Sequence, residues 1–309
     1  MKVIIVGLGI QGRKRLAAAG ADVVGTVDPV AADARHRALD EVPIDSYDAA
    51  LVCTPDQAKI PIVDYLLSNG KHVLVEKPLL ATNGRDLPRL AALARRSGMA
   101  CYTAYNHRFE PHLVAMKGAL EERRIGRVYL ATFFYGNGTA RIFHESGWRD
   151  QGLGVVPDLA SHLLDLCDFL FGRPAGQPEC WICRSFENSS PDYFLLGYPQ
   201  GSPTLKLEGT LLSWRNTFRL DVLGEAGSAH VFGLCKWGPT SFVVRRRVLP
   251  SGKPDEEANV LEQPDPTWAA EYRHFTHLCA RGGTNIENDV WINDVLNGLA
   301  RQVTVGAST

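Results

Sequence analysis

The chain opens with Val3-Ile4-Ile5-Val6, an apolar strand, and runs directly into Gly7-Leu8-Gly9-Ile10-Gln11-Gly12 and then a helix-compatible stretch. Strand, three glycines and helix in that order restrict the fold severely. The first glycine permits the tight turn, the second lets the backbone approach a pyrophosphate, and the third lets helix and strand pack closely. The phosphates would then lie on the unpaired N–H groups at the helix N-terminus. Ile10 and Gln11 fall at that N-terminus and are counted with Gly7, Gly9 and Gly12 as dinucleotide-binding. A lone glycine triplet also occurs in βαβ units that bind nothing, so the neighbours matter. The next apolar strand, Val23-Val24-Gly25-Thr26-Val27, ends at Asp28, sixteen residues past the last glycine. A carboxylate there accepts the hydroxyls of an adenosine ribose and repels a 2′-phosphate, which favours NAD over NADP.

At 309 residues the chain exceeds the size at which a single core keeps growing, so two domains are expected. From residue 1 to about 105, short apolar strands alternate with helical stretches: Ala49 to Cys53, a helix around Pro61 to Ser68, His72 to Val75, a helix around Gly84 to Ser97, and Ala100 to Ala104. This is an α/β pattern, a doubly wound parallel sheet of the Rossmann kind. Thr54-Pro55 and Glu76-Lys77-Pro78 fall at carboxyl ends of its strands, where ligands bind. From 106 to 309 the pattern changes to an α+β domain with a large, mostly antiparallel sheet. Its strands run near Arg127 to Phe134, Tyr193 to Leu196, Thr204 to Trp214, Phe218 to Leu223, Ala229 to Phe232 and Ser241 to Val248. Two helical stretches near the C-terminus, Thr267 to Ala280 and Asp289 to Gln302, are candidates to pack back on the first domain.

Lys plus Arg total 33 against 34 Asp plus Glu, a net charge of −1. That balance offers no footprint for nucleic acid or an anionic membrane and points to a small-molecule substrate. No signal peptide or spanning segment is evident, and seven scattered cysteines read as reduced thiols, so a cytoplasmic location is expected. Cys180-Trp181-Ile182-Cys183 is formally a CxxC. In a regular strand its sulfurs would point to opposite faces, and nothing nearby completes a zinc set, so no metal is expected.

Lys77 leaves its strand beside Pro78, whose fixed φ limits the exit geometry, and its ammonium can polarise a substrate hydroxyl or carbonyl. The plain alternative is that Lys-Pro merely ends a strand. Pro157 suits the first position of a helix running to Phe171, which puts Asp158 in the first turn and His162 four residues on, along the same face. Histidine titrates near neutrality and can take and return a hydroxyl proton, with Asp158 orienting it or gripping another hydroxyl. The alternative is a surface Asp/His ladder or a satisfied structural histidine. Trp148-Arg149 can supply an aromatic wall and an anion grip, against ordinary packing.

Gly7-x-Gly9-x-x-Gly12, Thr54-Pro55, Glu76-Lys77-Pro78, Asn106-His107-Arg108-Phe109 and Gly152 to His162 resemble, in order and spacing, the Gfo/Idh/MocA family of NAD(P)-dependent oxidoreductases. The match is strong to about residue 172 and vague beyond. The resemblance implies that Thr54 and Pro55 line the cofactor, that Glu76 touches the nicotinamide ribose, and that Asn106 and Arg108 contact cofactor or substrate. It also implies that Lys77, Asp158 and His162 converge on the reacting carbinol, and that the large sheet packs against another subunit in a homodimer or homotetramer. The implied activity is hydride transfer between NAD and a secondary alcohol or ketone of a sugar, cyclitol or sugar derivative. A glycosidase or lyase working by transient oxidation with retained NAD would present the same motifs, whereas a non-catalytic NAD/sugar sensor, the third alternative, has no need of Lys77, Asp158 and His162 together. Two departures stand out: Lys59 occupies a position where many members have histidine, and Leu153 interrupts the usual glycine triple.

Overall fold

The computed structural model describes residues 1–146 and 149–306. The chain divides into two units: Met1–Asn106 with Thr267–Asn293, and His107–Pro266 with the chain from Asp294 onward. The second unit is therefore not the uninterrupted stretch 106–309. The chain returns to the first unit because the helix Thr267–Arg281 buries Tyr272 and Phe275, and Tyr272 donates to Asp22 at 2.7 Å.

The first unit is built on a parallel sheet of β1 (Val3–Val6), β2 (Val23–Val27), β3 (Ala49–Val52), β4 (His72–Glu76) and β5 (Ala100–Ala104). The spatial order is β5-β4-β3-β1-β2, and a two-residue strand, Gly283–Thr284, extends the β5 edge. Strands β1 and β3 are buried at every position, as a parallel sheet covered on both faces requires. Helices α1 (Ile10–Ala19), α2 (Asp56–Ser68) and α3 (Asp86–Ser97) form the crossovers. In α3, Leu87, Leu90, Ala91 and Ala94 face the core at helical spacing, and Gly98, at φ 69°, ends the helix. Helix α2 starts five residues earlier than the sequence suggests. Pro61 sits inside it, at the cost of one backbone hydrogen bond.

The second unit carries an eight-stranded sheet and α4 (Pro111–Glu121), β6 (Val128–Gly136), α5 (Ala140–His144) and α6 (Ser161–Phe171). The remaining strands are β7 (Glu179–Arg184), β8 (Tyr193–Tyr198), β9 (Thr204–Thr210), β10 (Thr217–Gly224), β11 (Gly227–Phe232), β12 (Thr240–Arg246) and β13 (Glu256–Leu261). Their order is β13-β12-β11-β10-β6-β9-β8-β7, antiparallel throughout except for β6 beside β9. Alternation makes one face apolar: Phe133 and Tyr135 of β6, Leu207 of β9, and Phe218 and Leu220 of β10 are buried.

The CxxC geometry departs from the expectation. Cys180 and Ile182 lie opposite successive residues of β8, so Trp181 is an extra residue in a bulge. The bulge resets the alternation, Cys180 and Cys183 share a face, and their thiols hydrogen-bond. That bond holds the Cys180 thiol down to about 7 and pushes that of Cys183 up. Among the described residues no helix is long and apolar enough to cross a membrane.

Candidate active site

In the first unit the three glycines do three different things. Gly7, at φ 95°, donates its N–H to Val27 O at 2.8 Å, and a Cβ there would stand 2.7 Å from Cys53 O. A Cβ on Gly12 would stand 1.8 Å from Gly7 O, so α1 rides directly on the turn. Gly9 is different: its φ of −67° suits any residue, and nothing lies within 4 Å of an added Cβ. The open space is therefore on the Gly9 side of the loop. Helix α1 starts there with no side-chain cap and no acid in its first turn, so its N–H groups face that space unclaimed by side chains. Ile10 is 78% exposed beside it.

Asp28 accepts from Leu8 N at 2.7 Å through Oδ2, and from Val30 N and Ala31 N through Oδ1. These bonds, led by the one from Ala31, hold its carboxyl below the usual range. Each carboxylate oxygen offers about two lone pairs, so Oδ2 retains capacity for a ribose hydroxyl while the charge opposes a phosphate. At the end of β3, Thr54 Oγ1 is buried with no hydrogen-bond partner, and Pro55 precedes the first residue of α2. An open glycine, a bare helix terminus, an ionised acid and an orphaned hydroxyl on one sheet rim fit a dinucleotide.

Glu76 ends β4 inside a buried ion cluster. Arg15 of α1 donates Nε to Glu76 Oε1 at 2.6 Å and reaches Glu271 Oε2 at 2.6 Å, with Trp268 4.3 Å from its guanidinium. Burial opposes the Arg15 charge, but the two carboxylates outweigh it and push its pKa up. Lys77 follows, half-buried. Lys59, the departure noted in the sequence, is buried and donates to Pro78 O at 2.9 Å and Asp56 Oδ1 at 2.7 Å, so it braces the backbone just after Lys77. Asn106 donates to Thr267 Oγ1 at 2.9 Å.

In the second unit, Val156–Ala160 forms a π-helical turn ahead of α6. The turn carries Asp158 and leads directly into α6, whose second residue is His162. His162 is 6% exposed, and its ring stacks on that of His107, centroids 4.1 Å apart and 17° from parallel. Tyr135 of β6 flanks both imidazoles, at 5.5 Å from His107 and 5.9 Å from His162. Lys236 Nζ lies 3.3 Å from His107 Nε2 and donates to Tyr135 Oη at 3.1 Å. Asp158 acts electrostatically on Lys236.

Arg108 is ion-paired: Nε lies 2.9 Å from both Asp165 oxygens, and NH2 reaches Asp168 Oδ2 at 2.9 Å. Both partners are on α6, so Arg108 fixes the helix that carries His162. Arg149 is exposed and its N–H closes a turn on Ser146 O at 2.8 Å, while Trp148 lies outside the described residues. Sequence reasoning missed Arg15, Tyr135 and Lys236, and it quoted His107 without giving it a role. Only Arg15 left a local signal, a cation three residues past Gly12 in α1.

Comparison with known proteins places both parts of the chain in one family. Residues 1–105 match the GFO_IDH_MocA oxidoreductase family with its NAD-binding Rossmann fold, and residues 113–230 match the GFO/IDH/MocA C-terminal domain. An uncharacterized oxidoreductase, YdgJ, of Escherichia coli is 32% identical over 192 residues, 60% of this chain and 54% of that protein. The trans-1,2-dihydrobenzene-1,2-diol dehydrogenase of Sus scrofa is 30% identical over 202 residues, 62% and 58% of the two chains. The matched part thus spans about half the length of these curated relatives. A levoglucosan dehydrogenase solved with NADH superposes with a TM-score of 0.82 at 18% identity, covering 98% of this chain and 97% of the other, a likeness of fold. With both of its characteristic domains present in order, the chain belongs to the GFO/IDH/MocA family of oxidoreductases.

Proposed function

We propose that this protein is an NAD-dependent dehydrogenase acting on a secondary alcohol or ketone of a sugar, cyclitol or sugar derivative. The observation that carries the reading is the glycine loop, in which only Gly9 faces open space while ionised Asp28 closes the adenosine end. The dehydrogenase names of the relatives support the same class of reaction.

Gly7, Gly9, Ile10, Gln11 and Gly12 would hold the pyrophosphate, Asp28 the adenosine ribose, and Thr54, Pro55, Glu76 and Asn106 the nicotinamide end. When bound, NAD supplies a hydride acceptor at nicotinamide C4. The protein's own share is positioning and proton handling. In the oxidation His162 accepts the hydroxyl proton, Lys77 aligns the oxygen and stabilises its developing negative charge, and Asp158 orients the imidazole or grips a neighbouring hydroxyl. Reduction reverses these steps. The free thiols suit a reducing compartment. The outer face of the large sheet, with Leu130, Phe134, Leu195 and Leu223 half-buried or exposed among charges, is offered as the surface for a second copy.

The test is initial-rate spectroscopy at 340 nm with NAD and NADP against a panel of polyols and sugars. Steady NADH formation that Lys77→Met abolishes, with NAD affinity unchanged, supports the reading. Substrate turnover without accumulating NADH would point to transient oxidation, and no turnover of any polyol would overturn it.

A further inference from the structure

The side chains around His162 pose a question that the proposed chemistry leaves open. Two stacked imidazoles 4.1 Å apart cannot both be charged without strong repulsion, so the pair carries at most one extra proton at a time. If the rings were equivalent, that proton would divide between them. Only a proton on His162 serves the reaction.

We propose that Lys236 is a positioning residue that breaks this equivalence: by donating to Nε2 of His107 it holds that ring neutral in its Nδ1-protonated tautomer, and the proton of the stacked pair resides on His162. The inference rests on the role given to His162 above. A charged Lys236 has three donors and no acceptor, so while it is protonated the 3.3 Å contact is a hydrogen bond only to a bare lone pair on His107 Nε2. The same ammonium donates to Tyr135 Oη at 3.1 Å and lies 4.5 Å from the Trp237 ring, which fixes its direction.

Lys236 is held there by the fold. It sits in a short helical turn, Cys235–Trp237, between β11 and β12, with Gly233 at φ 81° and Gly238 at φ 114° on either side. Cys235 N donates to Glu110 Oε1 at 3.0 Å, and Glu110 N in turn donates to His107 O at 3.1 Å. Glu110 thus links the lysine turn to the histidine turn, and the Lys236–His107 contact is not left to a flexible side chain alone.

The charged and titratable groups facing this cluster come from several elements: Tyr135 of β6, Asp158 of the π-helical turn, Glu110 ahead of α4, and Asp265 ahead of the helix Thr267–Arg281. Desolvation lowers the Lys236 ammonium to about 8, while Asp265, Asp158 and Glu110 act the other way. The lysine is therefore mostly protonated at pH 7 and loses its hold on His107 as the pH rises through about 8. The device is strongest in the range where carbonyl reduction needs a proton on His162.

The experiment uses full-length protein labelled with 15N-histidine, followed by long-range 1H–15N spectra across pH 5 to 9, together with the pH profile of carbonyl reduction. Wild type is expected to show His107 as the neutral Nδ1–H tautomer while His162 takes up its proton. In Lys236→Met, His107 should lose that fixed tautomer and share the proton of the pair with His162. Reduction by that variant should lose roughly tenfold in kcat at pH 7 with KM little changed. Lys236→Arg, which keeps a charged donor, should recover most of the loss. Lys236→Gln replaces the Met variant if the latter does not fold. A wild-type His107 that carries Nε2–H, that takes the proton before His162, or that titrates unchanged in Lys236→Met or Lys236→Gln overturns the proposal. The spectra need no turnover, so a protein that acts on no polyol would refute the dehydrogenase reading, while the tautomer of His107 would still decide whether Lys236 directs the proton.

Discussion

The two units prepare for chemistry by different physical means. In the first, the binding surface is mainly backbone: a turn that needs φ 95° at Gly7, a close approach at Gly12, a helix end with no cap, and one carboxylate pinned by three main-chain amides. In the second, the candidate cluster is side chain throughout: His107, Tyr135, Asp158, His162 and Lys236 are drawn from a 3-10 turn, a strand, a π-helical turn, a helix and a second 3-10 turn. A backbone site is set by a short stretch of chain and tolerates almost no added atom. A side-chain site is gathered from distant parts of the chain, here from His107 to Lys236, and is tuned by charge. Substitutions should therefore damage the first through shape and the second through protonation.

The largest expected effect is on the side-chain half. His162→Asn keeps a similar outline and removes the titratable ring, and kcat/KM should fall about 10²- to 10⁴-fold with NAD affinity unchanged by calorimetry. A parallel loss of NAD binding would show that the side-chain cluster also shapes the backbone site, and would break the contrast. Next is Arg15→Met, which strands the buried carboxylates of Glu76 and Glu271. About 3–5 kcal/mol of stability should be lost in urea denaturation, and Glu271→Gln added to it should restore part of that loss. Smaller again is Gly12→Ala, at about 1–3 kcal/mol from overpacking against Gly7 O, with dinucleotide binding lost as the turn is forced open. Gly9→Ala sharpens the comparison. Stability should hold, because the new methyl meets nothing, whereas NAD should bind roughly tenfold more weakly, ~1.4 kcal/mol.

The smallest effect concerns pH. Asp28 has a folded pKa below its unfolded value, so its contribution to stability is fully present above the unfolded value of about 3.9 and is lost as the pH falls through the folded one. Asp28→Asn should flatten acid unfolding in that range, as followed by circular dichroism, and should narrow the preference for NAD over NADP.

The parallel sheet, its order of helices and the glycine loop were legible in the sequence because each depends on neighbours within about thirty residues. The large antiparallel sheet was legible from alternation alone, though its register was not: the Trp181 bulge reverses the expected relation of Cys180 and Cys183, and no residue in that stretch announces it. A single helix from Pro157 was legible from spacing, but not its π-helical first turn, since nothing local distinguishes i→i+5 hydrogen bonding from i→i+4. Lys236 was invisible for a deeper reason. Its meaning comes from His107 and Tyr135, more than a hundred residues upstream, and a lone lysine between two glycines looks like any surface loop.

The return of residues 267–293 to the first unit has a consequence for how the protein is made. When the ribosome has delivered the five N-terminal strands, Arg15 still lacks Glu271, Asp22 lacks the Tyr272 hydroxyl, and Thr103 and Tyr105 lack their shared acceptor Asp289. The nucleotide half thus waits, incomplete, while the whole of 107–266 is synthesised. A chain truncated before 267 would keep the Arg15–Glu76 pair but lack the second carboxylate of Glu271 and the Asp289 acceptor shared by Thr103 and Tyr105.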